Sequence, residues 1–219
     1  MNRSGRVAVA LTLTLIAAGI VAFAFINLMS QPNTIVFNAE SSGVNITLQT
    51  VGTYGSGAHP TWVSYLTQAP SGNWEHTTIW QVPAHTRVNL TIYQYDSGSP
   101  LRNQQVGQVT GTIGGTATLN GKTFSVIDSN AGNGVAHTFS IPTLGISVPL
   151  YANSSTASLC SAAPCQPSSP HNVIKFSFMS PGPGTYPWQC FVPCGLGWLY
   201  GNGGPMSTLG YMGGFMKVA

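Results

Sequence analysis

Charge is what this sequence has least of. Four acidic and seven basic side chains are spread over 219 residues, 5% of the chain, where a globular domain usually carries about a quarter. Two of the basic residues, Arg3 and Arg6, stand ahead of an apolar run. That leaves Arg87, Arg102, Lys122, Lys175 and Lys217 against Glu40, Glu75, Asp96 and Asp128. The remainder is nearly neutral, which excludes a nucleic-acid partner, because neutralising phosphates needs clustered cations. The four acids are dispersed, with none near the cysteine-rich loop described below. No Ser-His-Asp arrangement is suggested, and no glycine-rich phosphate loop precedes a helix. An autonomous enzyme is therefore not expected.

Long amphipathic helices are absent as well. The one long apolar run, Val7 to Met29, is broken only by Thr12, Thr14 and Asn27, and its length matches the roughly 20 residues a helix needs to cross a bilayer. With Arg3 and Arg6 on its N-terminal side, the positive-inside bias keeps residues 1–6 in the cytoplasm and sends the rest of the chain outside a cell membrane. A signal peptide cleaved after Ala22-Phe-Ala24 is the plainer reading, but the apolar run continues past that point. Ser30 to Asn33 then serves as a linker, and residues 34–219 form one extracytoplasmic domain. Sequons at Asn45, Asn89 and Asn153 lie on the exported side.

What fills the domain is 26 glycines, 15 prolines and short β-branched or aromatic segments. Strands are expected over Thr34 to Phe37, Val44 to Val51, Thr77 to Val82, Arg87 to Tyr95, Phe124 to Ile127, Thr138 to Ile141, Ile146 to Leu150, Val173 to Met179, Gly184 to Cys190 and Gly213 to Val218. Asn120-Gly121 marks a hairpin. Gly52 to Pro60 reads as a turn-rich loop, and the aromatic residues and His59 and His76 around it as loop packing. So many short strands, punctuated by glycine and proline, indicate an all-β sandwich or barrel.

Cysteine is scarce, and its four copies fall in two pairs. Cys160 and Cys165 sit in a Ser/Ala/Pro-rich insert with no strand signal, where an oxidising exterior favours a local disulfide. Cys190 and Cys194 sit in Pro-Trp-Gln-Cys190-Phe-Val-Pro-Cys194-Gly-Leu-Gly-Trp198, read together with Ala136-His137-Thr-Phe-Ser-Ile-Pro upstream. Two thiols and an imidazole are the soft and borderline donors that copper prefers. Met206 and Met212 follow and offer thioethers. A lone core histidine hydrogen-bonded to a carbonyl is the blander account of His137, and Trp188, Trp198, Tyr200 and Tyr211 would then cap the barrel end.

The His137 segment and the Cys190 loop resemble the cupredoxin domain of haem-copper oxidase subunit II, and the single N-terminal anchor fits that resemblance. It implies a cupredoxin-like Greek-key sandwich with a haem-bearing oxidase core subunit or another redox protein as partner. It also implies a copper site in which His137 is the first imidazole, Cys190 and Cys194 bridge as thiolates, and Val192 gives a main-chain carbonyl. The resemblance fails at Trp198, where the second histidine would stand, and at Gly201, where the methionine would stand; an indole has no lone pair for a metal. Three arrangements stay open. His137, Cys190 and Cys194 with Met206 or Met212 hold one copper as Cu(I), for electron transfer or copper handling. Alternatively the copper is lost, and a Cys190–Cys194 disulfide stabilises a binding or assembly module. In the third, a dinuclear centre survives with His85 or His171 moving in.

Overall fold

The computed structural model describes residues 3–28, 32–56, 59–154, 160, 162–195 and 204–219. The chain divides into two compact units, residues 1–31 with 55–60, and residues 32–54 with 61–219. In the first, α1 (Arg3–Leu28) carries no acidic residue in its first turn and no basic residue in its last. Its Arg3–Phe25 stretch has a mean hydropathy of 2.5 and none of its apolar window is buried. By length and composition it can cross a membrane, a test that a signal sequence also passes. The hydroxyls of Thr12 and Thr14 donate to the carbonyls of Ala8 and Ala10, each at 3.0 Å. This bonding within the helix lets threonine sit in an apolar segment without an unpaired hydroxyl.

The second unit is a sandwich of two mixed sheets, as the strand pattern led us to expect. Six strands, β1 (Thr34–Val36), β5 (Ile79–Val82), β9 (Val135–Ile141), β10 (Ile146–Tyr151), β12 (Gly184–Gln189) and β13 (Gly213–Val218), form one sheet in the order β1-β5-β13-β12-β9-β10. The other sheet contains β2 (Val44–Ser56), β3 (His59–Gln68), β4 (Trp74–Glu75), β6 (Arg87–Gln94), β7 (Ala117–Leu119), β8 (Lys122–Phe124) and β11 (Asn172–Met179). Its order is β4-β3-β2-β6-β11-β7-β8. The β1–β5, β5–β13 and β2–β6 pairs are parallel.

Alternation sets which side chains enter the core. Along β6, Val88, Leu90 and Ile92 are buried, and in the antiparallel register they oppose Phe178, Phe176 and Ile174 of β11. The other sheet contributes Phe139, Trp188, Trp80 and Met216 to the same buried cluster. Trp188 stacks on Trp80 at 4.8 Å between ring centroids and meets the edge of Tyr65 at 5.0 Å. Its indole N–H donates to the Thr78 carbonyl and that of Trp80 to Thr67 Oγ1, both at 3.0 Å, so neither ring strands a polar atom. Trp188 is thus a core residue rather than a cap at the barrel end. Trp198 and Tyr200 lie outside the described residues.

The Asn120-Gly121 hairpin joins β7 to β8, with both residues at positive φ (49° and 83°) as a type I′ turn demands. The Gly52 to Pro60 segment departs from expectation, because β2 continues to Ser56 and β3 begins at His59. Farther along β3, over residues 64–67, period two is hidden because successive residues are all buried. Tyr65 faces the main core, while Val51 and Leu66 join Tyr95 and Cys165 in a second, smaller cluster. The expected Phe124 to Ile127 strand is cut at Phe124, with Val126 making one isolated bridge to Gln108. Of the sequons, Asn45 is exposed, whereas Asn153 is buried and its amide N–H donates to the Pro170 carbonyl at 2.7 Å.

Candidate metal centre

Two strand ends and the middle of a third strand meet around the second cysteine pair. Cys190 is the first residue past β12, and its N–H donates at 2.9 Å to the carbonyl of Met212, the last residue before β13. The next amide, of Phe191, donates at 2.8 Å to Thr138 Oγ1 on β9, and the Thr138 N–H points at Cys190 Sγ at 3.4 Å. One residue earlier on β9, whose residues are all buried, His137 presents its ring to the sulfurs. The loop then turns so that the Val192 carbonyl lies 3.0 Å from Cys194 Sγ and 3.6 Å from Cys190 Sγ.

Both cysteines are free thiols, with Cys190 buried and Cys194 partly exposed. Their sulfurs are 3.3 Å apart. His137 Nδ1 is 3.1 Å from Cys194 Sγ and 3.9 Å from Cys190 Sγ, and all three donor atoms lie within 4.8 Å of one another. Among the described residues this is the only such group of histidine, cysteine and acidic side chains.

The fourth member corrects the sequence reading. Asp96, expected to be remote from the cysteine loop, reaches His137 Nε2 with Oδ2 at 3.1 Å. It lies just past the end of β6, and its other oxygen accepts the Ser97 N–H at 2.8 Å. Its main-chain carbonyl accepts from Asn153 N at 2.9 Å and Gln94 Nε2 at 3.0 Å. The carboxylate therefore fixes a proton on Nε2 and turns Nδ1 toward the thiols, the arrangement by which an outer carboxylate orients a metal-binding imidazole. Gly52 leaves room for that carboxylate, since a Cβ there would lie 2.8 Å from Asp96 Oδ1.

Electrostatics follow from these contacts. Burial alone would push the Cys190 thiol up, but the hydrogen bonds from Cys194 and His137 and the charge of His137 hold it well below its usual range. The same contact with Cys190, reinforced by burial, pushes Cys194 up, so it keeps its proton and donates it. For His137, burial opposes protonation, yet the hydrogen bonds to Asp96 and Cys190 outweigh it and raise the imidazole to about 9. The raised imidazole favours a proton on each ring nitrogen. A metal would displace the one on Nδ1, since ligands must shed protons to coordinate.

The methionines are close along the backbone. Met212 is fully buried, and its N–H donates to the Pro205 carbonyl at 3.1 Å. Met206 is half-buried and its carbonyl accepts from Gln189 Nε2 at 3.2 Å. His85 and His171 are elsewhere: His85 N donates to the Pro181 carbonyl at 3.2 Å, and His171 Nδ1 lies 2.7 Å from the Ser169 carbonyl with its ring against Tyr93 and Tyr95. Positions 198 and 201 lie outside the described residues. Cys160 and Cys165 form the expected disulfide.

The donor set suits a soft ion. Two sulfurs, an oriented imidazole nitrogen and a backbone carbonyl are already gathered, and this is a combination that selects copper over hard cations.

No family model and no curated protein matches the chain. Among solved structures it is similar to the copper protein rusticyanin at 15% identity over 84% of this chain and 82% of that one, with a TM-score of 0.33. Rusticyanin from Thiobacillus ferrooxidans is similar at 14% identity over 92% and 93% of the two chains, TM-score 0.33. Reduced rusticyanin is similar at 14% identity over 84% of each, TM-score 0.30.

Proposed function

We propose that this chain is a membrane-anchored, extracytoplasmic, cupredoxin-like protein that holds copper on His137, Cys190 and Cys194, resembling an oxidase subunit II with a reduced donor set. One observation carries the reading. The imidazole is aimed at two unbonded thiols by a carboxylate whose other oxygen accepts the Ser97 N–H. A disulfide-stapled module would have the two sulfurs bonded and would not need an imidazole oriented at them by Asp96. Bound copper would supply a one-electron couple, or cargo for delivery. The protein's own part is to hold the donors rigidly between two strand ends, so that little rearranges on a change of charge. Met206 or Met212 adds a thioether, and α1 holds the domain at the outer membrane face beside a haem-bearing or other redox partner.

The test uses the full chain in detergent, loaded with Cu(I) under reducing conditions and freed of excess metal. The expected result is about one copper per chain, as the donor count allows, with both thiols shielded from alkylation and retention lost in His137→Ala. Metal-free protein with a Cys190–Cys194 disulfide would overturn the metal reading. Co-purification with a haem-bearing membrane subunit supports the oxidase assignment, and its absence from native membranes under mild detergent counts against it.

A further inference from the structure

The two thiols differ in one respect that copper binding does not require. Cys190 is sealed, with no exposed surface. Cys194 lines a cavity of about 360 Å³ whose wall also includes Asp96, Ser97, Ser99, His137 and Val192. A small molecule entering there meets the sulfur of Cys194 and not that of Cys190. Behind it, at 3.3 Å, stands the second sulfur. A disulfide needs about 2.05 Å between sulfurs, and closing that gap takes about 1.3 Å of side-chain movement within a loop that already folds both sulfurs against the Val192 carbonyl.

We propose that Cys194 and Cys190 form an ordered dithiol couple that reduces small disulfides entering this cavity. The Cys194 sulfur attacks the incoming disulfide, and its proton goes to the departing thiol. The S–S bond of the substrate breaks, a mixed disulfide forms on Cys194 and one thiol leaves. Cys190 then attacks the Cys194 sulfur and expels the second thiol. In the balance, one external disulfide is reduced to two thiols, the first taking the Cys194 proton and the second a proton from water, and the Cys190–Cys194 pair is oxidised by two electrons. Access fixes the order of attack, because exchange depends on which sulfur can be reached. The couple concerns the site assigned above and gates it, since oxidation removes both sulfur donors. Its chemistry is nevertheless testable without copper.

The probe is 2-hydroxyethyl disulfide, added to the copper-free, reduced full-length protein. The wild type should lose two hydrogens and two titratable thiols and accumulate no mixed disulfide. Cys190→Ser should stop at a stable single adduct on Cys194, while Cys194→Ser should form adducts at least tenfold more slowly. Because Cys190 lies in the core, the order is also read in the unaltered protein, where a limiting alkylating agent should mark Cys194 first. Preferential marking of Cys190, or a stable mixed disulfide in the wild type, would overturn the proposal. Protection by prior Cu(I) loading separates the two assignments: dithiol chemistry without copper retention leaves this couple standing and removes the metal reading, and copper retention without disulfide formation does the reverse.

Discussion

The molecule contains two cysteine pairs of nearly the same spacing, and they have opposite fates. Cys160 and Cys165 are bonded, with Cα atoms 5.7 Å apart, whereas Cys190 and Cys194 stay apart as thiols. Spacing does not explain the difference, but the surroundings do. Cys165 lies in the small cluster with Val51, Leu66 and Tyr95, and the Gln49 amide braces its backbone, accepting from the Cys165 N–H at 2.8 Å and donating to its carbonyl at 3.0 Å. Such neighbours are neutral and favour the neutral, cross-linked form. Cys190 and Cys194 face an imidazole backed by a carboxylate, and these neighbours stabilise charge on the Cys190 sulfur, the form in which a thiol ligates a metal. One pair staples an insert, and the other is kept available.

The largest expected effect breaks this contrast directly. Cys190→Ser should abolish copper retention, while Cys165→Ser should leave the copper content of the loaded protein unchanged, as measured by elemental analysis of the full chain. If the two variants lose copper equally, the division of labour is wrong. Asp96→Asn comes next. An amide can donate to Nε2 where the carboxylate accepted, which pulls the tautomer the other way and places a proton on Nδ1 facing the sulfurs. Losing an outer partner of this kind typically weakens metal binding by about 10- to 100-fold, and competition with a Cu(I) chelator measures it. Third, replacing both Cys160 and Cys165 by serine should cost about 2 kcal/mol, since the closed loop is short. Thermal unfolding should record a fall of several degrees with no change in copper affinity.

Legibility in the sequence follows the same divide between local and distant. The Asn120-Gly121 turn, the Val44 to Val51 alternation of β2 and the Cys160–Cys165 staple each rest on neighbours along the chain, and each was readable. The end of β2 past Val51 and strand β3 were not, and along β3 the burial of both Tyr65 and Leu66 erases the period that marks a half-buried strand. Within the candidate site, the thiols and His137 stood out by residue type. Asp96 did not: it lies 41 residues from His137 in sequence, reads as part of an Asp-Ser-Gly-Ser-Pro turn, and gains its meaning only when the end of β6 is brought up to β9 of the other sheet. Thr138 was hidden for the opposite reason. It looked like any β-branched strand residue, yet its hydroxyl and amide both serve the cysteine loop.

The smallest predicted effect concerns that threonine and asks what holds the second pair in position before any metal arrives. In Thr138→Val the shape of the side chain survives, but the Phe191 N–H loses its acceptor just past the buried Cys190. A hydrogen bond of this kind is worth about 1 kcal/mol, somewhat more if the orphaned amide stays dry, and a chain of this size should lose about 2–4 °C in Tm. Thr138→Ser restores the hydroxyl and should recover most of the loss. Copper affinity should fall less than in Asp96→Asn, because the imidazole keeps its carboxylate and only the loop loosens. The Cys160–Cys165 bond should be untouched, since its brace is Gln49 on another sheet. An unchanged melting temperature in Thr138→Val would mean that the loop is positioned by Cys190 and Met212 alone. The contrast between the pairs would then rest on His137 and Asp96 rather than on any preformed scaffold.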